Sequence, residues 1–256
     1  MEKMNKNILA VGAHPDDVEF MCTGTLKLFK DKGYKIHICI VASGDLGSSI
    51  ENQEDIIKIR RQEAINAAAL LEADIYPLGE LDLRIDLDDR TRMKVTEIVR
   101  TVDPLIVFTH PHEDYVMDHE MTSRLVRHGC FSAPIPNYFT QAIFPQPRPT
   151  QAPYLYYCSP LEGRNIYGDF VKQHLYVDIT KSIDFKAEML ACHKSQRDWM
   201  AELGMDKYIT GMKNTAERYG KQSDVSYAEG FLQHLGTGHP QNNILKDVLG
   251  NLVIEQ

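Results

Sequence analysis

The sequence predicts an α/β fold: a doubly wound, mostly parallel sheet with helices on both faces, a three-layer α/β/α arrangement. Three observations point there. Apolar runs at 7–10, 35–42, 73–78 and 105–109 alternate with helical stretches. The second run, KIHICIVA, is apolar or β-branched at almost every position, as in a parallel strand buried on both faces. The connections are mostly short, and such an alternation folds onto one parallel sheet.

Each element has its own signal. Asn7 to Ala10 is a short buried strand, and Thr23 to Lys32 reads as a helix offering Leu26, Leu28 and Phe29 to the sheet, with Gly33 as its stop. His37 lies inside the second strand as a core or edge histidine. Ser43 to Gln53 is polar and holds Gly44 and Gly47, so it is a loop at the sheet end that carries His14. Ile56, Ile59, Glu63, Ala67 and Leu70 recur three and four apart in a helix from Glu54 to Leu71. Ala73 to Leu78 is the third strand. Leu87 to Val102 is helical and stops at Asp103-Pro104, because proline disfavours helix in its predecessor. Leu105 to Thr109 is the fourth strand.

From Cys130 to Tyr157 prolines punctuate aromatic residues, which argues against helix and for an extended excursion. It is expected to cover the mouth of a site or to line a homo-oligomer contact. Strands at 154–158 and 175–179 follow, then a helix from Ser182 to Leu203 with Trp199 as a packing anchor. The whole chain, 1–256, is expected to form one domain. Residues 1–129 would be the parallel core with the chemical motifs, and 130–256 the excursion with the carboxy-terminal strands and helices.

Bulk properties narrow the function. With 256 residues there is ample chain for a core, and 43% apolar with 25% charged residues is ordinary globular composition. A net charge of −8 disfavours nucleic acid or an anionic membrane as partner. No apolar run approaches the roughly 20 residues of a membrane span. Five cysteines, an odd number without a Cys-x-x-Cys, fit free thiols, and no signal-peptide core precedes the first strand. A cytoplasmic protein acting on a small molecule is the expectation.

Two stretches carry chemistry. Ala13-His14-Pro15-Asp16-Asp17 follows the first strand, at the strand end where open α/β sheets bind ligands. His14 and Asp17 could share one metal ion with Asp16 free beside it, or could simply cap the coming helix. Straight off the fourth strand, residues 109–119 (THPHEDYVMDH) hold three histidines and three acids, with Asp118 opening a helix and His119 in its first turn. Two such clusters at equivalent strand ends favour a metal site over a solvated loop. If His14, Asp17 and His119 hold zinc, a bound water is acidified and Asp16 can take its proton.

The first motif, with Glu19 and Gly24-Thr25-Leu26 after it, resembles the signature of the PIG-L/LmbE deacetylases. These are Rossmann-like, zinc-dependent hydrolases that remove acetyl from N-acetylglucosamine-type substrates. Arg60 to Ala64, Leu81-Asp82, His193 to Gln196 and Tyr227 to Phe231 extend the resemblance over most of the chain. It implies His14, Asp17 and His119 as ligands of zinc or another divalent ion, and Asp16 as general base. Arg60 and Asp82 would help to hold the sugar, and the His193 segment would support structure.

There is one departure. Where many members read His-Pro-Asp-His, this chain reads Val116-Met117-Asp118-His119. Valine neither donates a proton nor bonds an oxyanion, a loss worth roughly 10²–10⁴-fold in rate unless His110, His112 or Tyr115 fills the gap. The rival reading is therefore a metal- and sugar-binding protein with weak or lost catalysis. A dinucleotide-binding enzyme is disfavoured, because no Gly-x-Gly-x-x-Gly follows the first strand.

Overall fold

The computed structural model describes residues 5–142, 146–202 and 208–256. Strand β1 (Asn7–Gly12) leads into a short helix α1 (Asp17–Met21), helix α2 (Thr23–Asp31) and strand β2 (Lys35–Ala42). Helix α3 (Gln53–Leu70), strand β3 (Asp74–Glu80), helix α4 (Asp89–Val102), strand β4 (Ile106–Thr109), helix α5 (Met117–Ser132) and strand β5 (Tyr154–Cys158) complete the amino-terminal part. Strand β6 (Leu175–Asp178), helices α6 (Ile183–Leu190), α7 (Lys194–Glu202) and α8 (Tyr208–Gln222), strand β7 (Ala228–Gln233), helix α9 (Ile244–Leu249) and strand β8 (Val253–Glu255) follow.

The described strands form one eight-stranded sheet in the order β3-β2-β1-β4-β5-β7-β6-β8. The first five strands of that order are all parallel, as the sequence predicts. Strands β7, β6 and β8 add an antiparallel extension to β5. Strand β1 shows why its run is apolar throughout. Ile8 and Ala10 enter one core with Phe29, Ile36 and Phe108, whereas Leu9 and Val11 enter the other with Val95, Val99 and Leu125. Alternate side chains of a strand point to opposite faces, so a strand covered on both sides has no solvent position.

Three expectations about the helices need correction. The inward stripe of α3 is Ile56, Arg60, Ala64, Ala67 and Ala68, while Ile59 and Leu70 are exposed. Small alanines let this helix approach the sheet closely, and Arg60 is carried inward with them. The helix expected from Ser182 is two helices broken at Ala191–His193, where His193 is wholly buried with Nε2 3.3 Å from Glu19. Its expected last residue, Leu203, lies outside the described residues. Helix α5 runs on through Cys130 to Ser132 before the proline-rich stretch begins.

That stretch, described except for 143–145, packs beside α4 and away from the His14 pocket. Arg100 donates to the carbonyls of Ala133 and Tyr138, and Thr140 donates to Glu97. None of its described residues lines the cavity above His14. Among the described residues no helix is long and apolar enough to cross a membrane.

Candidate metal centre and substrate pocket

The carboxyl ends of β1 and β4 bring the two motifs together. Val11 pairs with Thr109, so the residues that follow each strand leave the sheet side by side. His14, Asp17 and His119 each offer a ligand atom, all within 4.8 Å of one another. His14 Nε2 donates to Asp118 Oδ2 at 3.0 Å, which leaves Nδ1 facing Asp17 at 3.6 Å. His119 Nδ1 lies 3.2 Å from Asp114, and its Nε2 faces Asp17 Oδ1 at 3.4 Å. Each imidazole is thus backed by a carboxylate and turns its other nitrogen to the same aspartate, the arrangement that orients histidine ligands of metals. Among the described residues, Nε2 of buried His119 has no hydrogen-bond partner, as expected of a nitrogen whose partner is an ion.

His110, Asp114 and His119 also converge within 4.8 Å. His110 stacks on His119 at 4.0 Å between centroids, and its Nε2 is 3.0 Å from both the Ala13 amide and Asp17 Oδ2. Electrostatics follow the geometry. Burial opposes charge on Asp17, yet His119 and His110 hold its carboxyl well below the usual range. Burial likewise opposes protonation of His14 and His119, but Asp118 and Asp17 raise the first to about 10. Asp17 and Asp114 raise the second to about 9. Such a donor set suits a divalent cation, which would take the place of the protons.

Asp16 stands beside this cluster with φ 109°, a left-handed conformation that a non-glycine residue rarely adopts. Strain of this kind persists where the surroundings over-determine the residue. Tyr208 donates to Asp16 Oδ2 at 2.5 Å, and Arg60 Nη2 lies 3.4 Å from Oδ1. Burial pushes the Asp16 carboxyl up, with Arg60 opposing. Tyr208 carries no motif that could have singled it out; only the fold brings it across 192 positions to Asp16.

The remaining expected residues serve as braces. Buried Arg60 donates to the carbonyl of Pro15 at 2.6 Å and to that of Gly44 at 3.4 Å. A Cβ at Gly44 or Gly47 would meet the guanidinium at 2.7 or 2.5 Å, so only glycine lets the loop close over it. Asp82 accepts from the amides of Gly44 and Leu46 and fixes the same loop. Gln196 donates to Gly47 from the other side. Glu229 accepts from the Gly24 and Thr25 amides at the start of α2, and buried Lys186 pairs with it at 2.5 Å.

Over the cluster opens a cavity of about 740 Å³, large enough for a ligand of disaccharide size. Arg60 and Asp82 both border it, as do Tyr115, Val116, Tyr208 and residues 159–162. Trp199 is not the packing anchor expected from sequence: it is half-buried and stands in this wall. Val116 lines the pocket too. Of the three residues considered as its substitute, His112 borders a different groove, and His110, buried against Asp17, borders this pocket. Tyr115 is largely exposed, in the pocket, edge-on to His119.

A Rossmann-like sheet with an acid–histidine cluster on its carboxyl edge defines the class, and residues 9–130 match the PIG-L family model, described as GlcNAc-PI de-N-acetylase. The matched stretch holds both the His14 and the His119 motifs, and over it the chain is similar to this family. Among individual relatives, a 4-oxalmesaconate hydratase of Pseudomonas putida is 24% identical over 90% of each chain. A diacetylchitobiose deacetylase of Thermococcus kodakarensis is 24% identical over 88% of this chain and 82% of its own. The solved N,N'-diacetylchitobiose deacetylase from Pyrococcus horikoshii superposes with TM-score 0.75 at 25% identity, covering 90% of this chain and 84% of that one.

Proposed function

We propose that the protein is a metal-dependent N-deacetylase acting on an N-acetylglucosamine-type sugar or conjugate. The observation that carries this reading is the convergence of His14 Nδ1, Asp17 and His119 Nε2, each imidazole backed by its own carboxylate. Zinc, or another divalent ion, held by these three supplies Lewis acidity to the amide carbonyl and lowers the pKa of water. Asp16 takes the proton from the attacking water as the new C–O bond forms. As the C–N bond breaks it returns a proton to the amine nitrogen, and acetate and free amine leave. Tyr208 and Arg60 hold Asp16 in the orientation this needs, and burial keeps it basic enough to accept the proton. Arg60 and Asp82 border the sugar site while fixing the 43–47 loop. Five free cysteines, four of them buried, support a reducing, cytoplasmic setting.

Amine release from a panel of N-acetylglucosaminides by zinc-loaded protein tests this, with Asp16→Asn alongside. Release by the wild type alone is the expected result. A second reading is favoured by Val116 together with the hydratase relative that matches across 90% of both chains. Adding water across a conjugated C=C bond breaks no C–N bond, so it needs no acid for a leaving amine. In that reading Asp16 takes the water proton and the neighbouring carbon receives one. Loss of ultraviolet absorbance from an unsaturated carboxylic acid, without amine release from any sugar, would select it. Sugar binding without either turnover would select the non-catalytic reading.

A further inference from the structure

We propose that Arg164 and Arg218 form an oxyanion subsite in the pocket wall, selecting a substrate that carries a carboxylate or phosphate away from the reacting bond. This rests on the pocket above His14 being the substrate site, and it holds for either reaction described for that pocket.

Among the described residues the pocket is lined by four arginine and lysine side chains, and two are spent. Arg60 is buried on Pro15, Gly44 and Asp16, and Lys186 is buried on Glu229 and the Phe20 carbonyl. Arg164 and Arg218 are different. Their guanidinium carbons lie 3.8 and 4.5 Å from the centre of one ring, that of Phe170. Arg164 Nη1 donates to the Gly168 carbonyl, and Arg218 Nη1 to the Glu162 carbonyl. Their partners among the described residues are thus backbone oxygens and a ring, not carboxylates. Even Glu162 gives Arg218 its carbonyl rather than its acid group.

A guanidinium has five N–H donors in a planar fork, so most donors of both remain available. Two cations sharing one ring repel each other, and in a chain of net charge −8 no carboxylate among the described residues pairs with them. The stacking and the carbonyl bonds fix both forks before any ligand arrives. The segment that carries Arg164 is closed on itself by the Val171 amide, which donates to Gly163 at 2.9 Å, and it packs on α8, where a Cβ at Gly163 would meet Tyr219 Oη at 2.6 Å. Preorganised guanidinium pairs without internal partners match oxyanions, which they bind with two parallel N–H bonds.

The test is calorimetric titration at fixed ionic strength, using zinc-loaded protein in the Asp16→Asn background so that ligands are not consumed. The probes are N-acetylglucosamine 1-phosphate, neutral methyl N-acetylglucosaminide, and sulfate. The expected result is an affinity ratio of about tenfold in favour of the phosphorylated sugar. That ratio falls to near one in Arg164→Ala/Arg218→Ala and is partly kept in Arg164→Lys/Arg218→Lys, which preserves charge and fold. Equal binding of both sugars would overturn the subsite and leave the amino-sugar reading standing. Sulfate binding that needs the arginines, with neither sugar bound, would support the subsite and remove the amino-sugar reading. No arginine-dependent binding of any probe would overturn the subsite.

Discussion

The parallel and antiparallel halves of the sheet divide the work at this site. Strands β1 and β4 of the parallel half deliver His14, Asp16, Asp17 and His119, every residue proposed to touch the metal or the transferred proton. Among the described residues, the part that follows β5 supplies no candidate ligand; it supplies Tyr208 to Asp16, His193 beside Glu19, Gln196 to Gly47 and Glu229 to the start of α2. Parallel strands end together at one sheet edge, which is where short loops can pool their side chains. The antiparallel extension and its helices can only reach that edge from behind or above. Chemistry therefore belongs to local motifs, and its rigidity belongs to distant parts of the chain.

This division can be broken on either side. The largest expected effect on stability lies in the bracing half. Lys186→Met strips the partner from Glu229 among buried neighbours and should cost about 3 kcal/mol, read from denaturant melts. A loss below about 1 kcal/mol would show that the amides of Gly24 and Thr25 suffice. In the ligand-bearing half, Asp118→Asn weakens the carboxylate behind His14 and should lower metal affinity about 10–100-fold by competition with a chelator. Unchanged affinity would mean that His14 is not a ligand. Tyr208→Phe crosses the divide: it should cut kcat about tenfold and leave KM and metal content unchanged.

The smallest effect concerns acid. Burial, with Lys35 adding to it, pushes His37 of β2 down to about 4 against the opposing pull of Asp74. Burial, with His239 and Arg127 adding to it, pushes His234 beyond β7 to about 4. Both are neutral in the folded chain, and the unfolded chain takes up their protons below about 6.5. Stability should thus fall as pH drops from about 6.5 towards 4, by on the order of 1–2 kcal/mol for each. His37→Gln and His234→Gln should each flatten that slope in urea melts at several pH values.

The same division explains what the sequence made legible. The order of the first four strands, their parallel pairing, and the convergence of His14, Asp17 and His119 were readable because each rests on a local run followed by a local motif. The backing roles of Asp114 and Asp118 were not, since an acid in a charged loop or at a helix start gives no sign of which imidazole it will meet. The bonds of Arg60 to Pro15, Gly44 and Asp16 were not legible either, because they depend on an alanine-rich face carrying it inward. Trp199 and the break before Lys194 had no local mark: no glycine or proline punctuates Ala191–His193. Tyr208 depends on a contact spanning most of the chain.

The central claim is that His14, Asp17 and His119 hold one divalent ion while Asp16 moves the proton. The most direct measurement is bound zinc per chain together with amine release, in wild type, Asp16→Asn and His119→Ala. One zinc per chain is expected in wild type and Asp16→Asn, with activity lower by about 10²–10⁴-fold in the latter. His119→Ala should lose the metal and the activity together. Full turnover by Asp16→Asn, or one tightly bound zinc in His119→Ala, would contradict the account.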